Sequence, residues 1–91
     1  MKLTSLPGHE LVLAGLDDLA RGVESNEALL VSIGAPRLRR AGIAVSEPLT
    51  SPEHRLYERL AAEDEDAAHG RYNALVRRLV SFERAADALA R

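Results

Sequence analysis

Ninety-one residues, 46% of them apolar and 29% charged, with a formal net charge of -2, exclude a two-lobed enzyme with a cleft between domains and give no general attraction to nucleic acid or acidic membranes. There is no cysteine, which excludes disulfides, thiolate nucleophiles and cysteine metal sites. Tyr57, Tyr72 and Phe82 are the only aromatic residues, so a core has to be built from Leu, Val and Ala.

The N-terminal stretch MKLTSLPGHELVLAGLDDLA has one lysine and a brief apolar run broken by Asp17 and Asp18. It fits neither a signal peptide nor a membrane span, and the expected location is cytoplasmic. After Pro7 and Gly8, the spacing of Val12, Leu16, Leu19 and Val23 predicts a helix that stops at Gly22. Ser25 is placed to cap a second helix over NEALLVSI, with Glu27 in its first turn and Gly34 as its end. Pro36 then suits the first position of a short helix closed by Gly42. The segment IAVSEPLT reads as an extended connector, because Pro48 interrupts its β-branched residues.

Ser51, Pro52 and Glu53 signal another helix start, with Leu56, Tyr57 and Leu60 on its apolar side and an end near Ala62. The run Glu63 to Asp66 places negative charge ahead of the last helix, where the helix dipole favours it. In that helix Ala68, Tyr72, Leu75, Leu79, Phe82, Ala86 and Leu89 recur in alternating steps of four and three, a seam for helix packing. Asp87 and Arg91 are spaced for an ion pair. The expected fold is all-α: one domain over residues 1–91, a small irregular bundle of four main helices plus one short helix, packed around the long C-terminal helix.

Charge is segregated. Residues 1–34 hold two basic and five acidic side chains, whereas residues 71–91 hold five arginines against two acids. Arg37, Arg39 and Arg40 stand within four residues, and a short helix, a glycine turn and a basic helix in succession invite comparison with a helix-turn-helix. That pattern breaks down at Leu30, where a small residue belongs, and at Arg40, where an aliphatic one does; the basic helix is also too short for a major groove. A solvated face around an inward Leu38 is the simpler reading. The functional alternative is phosphate binding by Arg37, Arg39, Arg40, Arg77, Arg78 and Arg84.

His54 with Glu58, and Asp66 with His69, are spaced to share a helix face, but a helical metal site needs several inward ligands from facing helices. Capping and exposed ion pairs account for them, and neither metal nor cofactor is expected. Ser5, Ser25 and Ser51 suit helix starts, and none lies in a nucleophile elbow. An acid/base trio of Glu58, His54 and Tyr57 occupies one turn without an identified pocket. The Arg-then-His spacing common in RNase-type helical toxins is absent from the last helix. Val76 and Val80 lie off the main seam, on the flank carrying Glu83 and Asp87, and are expected to be exposed in a monomer and covered in a homodimer. The expected function is therefore a non-enzymatic, self-associating protein-interaction or regulatory module, with nucleic-acid binding as the alternative.

Overall fold

The computed structural model describes residues 3–90, and every regular element in them is helical. A 3-10 turn at Leu3–Ser5 precedes α1 (His9–Ala20), α2 (Asn26–Arg40), α3 (Pro52–Glu63) and α4 (Ala68–Ala90). The all-α class and the four main helices agree with the periodicity of the sequence. At 23 residues α4 is about 35 Å long, in a molecule whose longest extent is 40 Å.

The glycines after α1 and α2 terminate those helices as their positions suggest. At φ 71, Gly22 lets its own N–H donate to the Leu19 carbonyl while the Val23 N–H donates to that of Asp18, which closes α1 in a Schellman turn. Gly42, at φ 88, repeats the arrangement for α2, with the Ile43 N–H on the Leu38 carbonyl and both side chains buried. Ser25 Oγ accepts the Ala28 N–H at 3.0 Å and donates to Asp18 Oδ2 at 2.7 Å, tying the end of α1 to the start of α2.

The separate short helix does not exist. Asn26 to Arg40 is one continuous helix with Gly34 and Pro36 inside it. Interior proline opposes a helix by about 3 kcal/mol and glycine by about 1 kcal/mol. Burial on several sides outweighs them: Ala28, Leu29, Leu30, Val31, Ala35 and Leu38 are all essentially inaccessible. α2 is consequently the deepest element, and α1, α3 and α4 pack against it. The long C-terminal α4 packs on α1, α2 and α3, as expected of the bundle.

The seam of α4 is buried at Ala68, Leu79, Phe82 and Ala86 and half-buried at Tyr72 and Leu75. Leu89, in the last turn of α4, departs from it and is 55% exposed. The expected Asp87–Arg91 pair lies outside the described residues. α3 begins at Pro52 as expected, but Ser51 contributes backbone geometry (φ 46) and no side-chain cap. In the acidic run, Asp64 Oδ1 accepts the N–H groups of Asp66 and Ala67 at 3.1 and 3.2 Å, which fixes the turn into α4.

Candidate functional site

The seam of α4 is accompanied by a second stripe one residue further on: Val76, Val80, Glu83 and Asp87 repeat the four-three-four step. This stripe faces the C-terminal half of α2, and the two helices enclose an open groove in two adjoining cavities of about 310 and 300 Å³. Ile33 and Pro36 of α2 with Val76, Leu79 and Val80 of α4 form its aliphatic floor. Arg37 and Arg40 stand on the α2 side, and Arg84 with Asp87 on the α4 side. Val76 and Val80 are therefore half-buried where exposure was expected, and Val76 packs against the main core.

Glu83 lies at the bottom of the groove, 6% exposed. Its Oε1 is 3.5 Å from Arg37 Nη1, an ion pair at the outer edge of hydrogen-bonding reach. Gly34 makes room for this arrangement. A Cβ there would stand 2.5 Å from Glu83 Oε2 and 2.9 Å from Leu79 Cδ1, so the residue that reads as a helix stop is a point of close helix contact.

Burial pushes the Glu83 carboxyl above its ordinary value of 4.5, and the Arg37 charge and hydrogen bond only partly oppose this. A carboxyl that holds its proton more tightly when folded makes the chain lose stability as pH rises from its unfolded value towards its raised folded one. Glu83→Gln removes that titration. In urea unfolding between about pH 4 and 7, the stability of the wild type relative to Glu83→Gln is therefore expected to fall with rising pH and then level off. A difference independent of pH would show that Glu83 titrates alike folded and unfolded.

Of the six arginines singled out in the sequence, Arg37, Arg40 and Arg84 converge on the groove. Arg39 turns away and donates to the Val45 carbonyl at 2.9 Å, pinning the connector after α2. Arg78 pairs with Glu10 of α1 at 2.8 Å. Arg77 is exposed two turns before Arg84 and lines neither cavity. A phosphate grip made of all six does not assemble. The pairing of Arg37 with Glu83 of α4 is not legible from spacing, nor is the burial of Glu83.

Elsewhere, Glu24 pairs with Arg55 and stands 3.8 Å from Arg59, linking the α1–α2 loop to α3. His54 Nε2 meets Glu58 Oε1 at 2.9 Å with both side chains well exposed, which makes them a surface pair of small energetic weight. Tyr57 leans on Tyr72 at a ring separation of 5.8 Å, and burial, with the Glu53 charge adding to it, pushes the Tyr72 phenol above 10.0. His69 lies 3.2 Å from the Asn73 amide and makes no bond to Asp66. Among the described residues no group of three or more His, Asp or Glu could hold a metal ion, and no helix is long and apolar enough to cross a membrane. No family model, curated protein or solved structure matches the chain.

Proposed function

We propose that the chain is a non-enzymatic, cytoplasmic protein-interaction module whose recognition surface is the groove between α2 and α4. One observation carries this reading: an aliphatic floor is flanked by Arg40 and Arg84, neither of which has an acidic partner among the described residues. Apolar area beside an excess of positive charge, three guanidinium groups against the carboxylates of Glu83 and Asp87, suits a surface completed by another molecule.

A homodimer closed through Val76 and Val80 is the second reading, favoured by the open aliphatic floor. Charge counts against it. A second copy brings the same excess of arginine over acid to a groove already rich in guanidinium groups. Nucleic-acid binding draws on the same three arginines but gains nothing from the floor and meets two carboxylates within the cleft.

The test is a displayed library of helical peptides selected on the wild-type chain and on Val80→Glu. Peptides selected on the wild type are expected to bind Val80→Glu at least about 10-fold more weakly while the variant keeps its cooperative melt. Equal binding to both proteins would remove the groove from recognition. Sedimentation equilibrium decides the second reading: a species of twice 9.9 kDa that Val80→Glu abolishes would establish the dimer.

A further inference from the structure

We infer that the groove receives an amphipathic helix of a different protein, aliphatic on the face it buries and acidic along both edges; this rests on the groove being the recognition surface. Each part of the description follows from a feature of the cleft. Both walls are helices, so their backbone donors and acceptors are already bonded within α2 and α4. An extended occupant could not add itself as a strand and would leave its own backbone unpaired, whereas a helix arrives with those bonds made. Val76 to Asp87 span about 17 Å of α4, three helical turns, which matches anchors spaced three and four residues apart.

The floor admits Leu, Ile, Val or Ala, since Ile33, Pro36, Val76 and Val80 leave a shallow aliphatic trough. The charge comes from the rim. Arg40 of α2 lines both cavities and Arg84 of α4 lines one of them, where with Arg37 they outnumber the carboxylates of Glu83 and Asp87, so an occupant seated between the two helices is met by a guanidinium from each wall. Arg37 already faces Glu83, which leaves Arg40 and Arg84 as the pair that selects for carboxylates.

The experiment uses the full chain, labelled with 15N, and three probes. The first is a helix-stapled peptide with leucines spaced three and four apart and glutamates on both flanks; the second replaces every glutamate with lysine; the third is duplex DNA. The glutamate peptide is expected to shift the amides of Arg40, Val80 and Arg84 and to bind about 10-fold more tightly than the lysine peptide at low salt, with the gap narrowing as salt rises. The double variant Arg40→Glu/Arg84→Glu, folded by its amide spectrum, is expected to reverse that order. Equal affinities, or preference for lysine in the wild type, would overturn the acidic assignment while leaving the groove as a protein-binding surface. Absence of either peptide from the groove would overturn both. Duplex DNA binding that depends on Arg40 and Arg84, with no peptide bound, would give the surface to phosphate and overturn the inference.

Discussion

Gly15→Ala is expected to destabilise the chain by about 3 kcal/mol, although alanine favours a helix over glycine by about 1 kcal/mol. Gly15 is buried in the middle of α1. A Cβ there would stand 2.3 Å from the Glu27 carbonyl oxygen, 2.7 Å from its carbon and 2.8 Å from Val31 Cγ1. Two of those three atoms belong to the backbone of α2, which cannot swing aside as a side chain can. The helices must separate, and the overpacking penalty lies at the upper end of its usual range. Gly70→Ala supplies the opposite sign: nothing lies within 4 Å of its Cβ position in α4, so the same replacement is expected to stabilise by about 0.5 to 1 kcal/mol. Urea midpoints measured side by side check both. A Gly15→Ala midpoint at or above the wild-type value would mean that α1 and α2 do not approach as closely as their glycine contact requires.

That contrast explains what could be read from the sequence and what could not. Helix starts and stops made by local chemistry are legible: the Ser25 cap, Pro52 at the head of α3, and Gly22 and Gly42 after α1 and α2 each act on residues a few positions away. Gly34 and Pro36 carry the same letters as a helix terminus, yet they sit inside α2 because burial outweighs their local preference. A glycine that ends a helix and one that admits a neighbour are indistinguishable without the neighbour, and here Glu83 and Leu79 arrive from α4. The candidate site was partly legible for a related reason. Val76 and Val80 were visible as a flank off the main seam. The same step continues to Glu83 and Asp87, but nothing in their spacing tells that Glu83 is buried while Asp87 is exposed. Nothing local could divide the arginines. A long side chain reaches several partners, and whether it meets Val45, Glu10 or an open groove is settled by tertiary placement.

Phe82→Ala is expected to lower stability by about 3 to 5 kcal/mol. Phe82 is wholly inaccessible and is the largest side chain in the core, and the removed ring leaves a void that the surrounding leucines only partly fill. Against a total of about 5 to 14 kcal/mol for a chain of this size, that loss brings the protein close to unfolding at elevated temperature. Val80, half-buried on the neighbouring stripe, is expected to lose about 1 kcal/mol or less on truncation to alanine, since its methyl groups already border water. The two substitutions therefore separate the roles of one helix. Phe82→Ala is expected to lower the denaturant midpoint sharply, while chains still folded bind the glutamate peptide with unchanged affinity. Val80→Ala is expected to leave the midpoint nearly in place and weaken that binding. Midpoint losses of equal size would mean that both stripes of α4 hold the fold together. The groove would then be a continuation of the core, and a partner helix could displace little water by entering it.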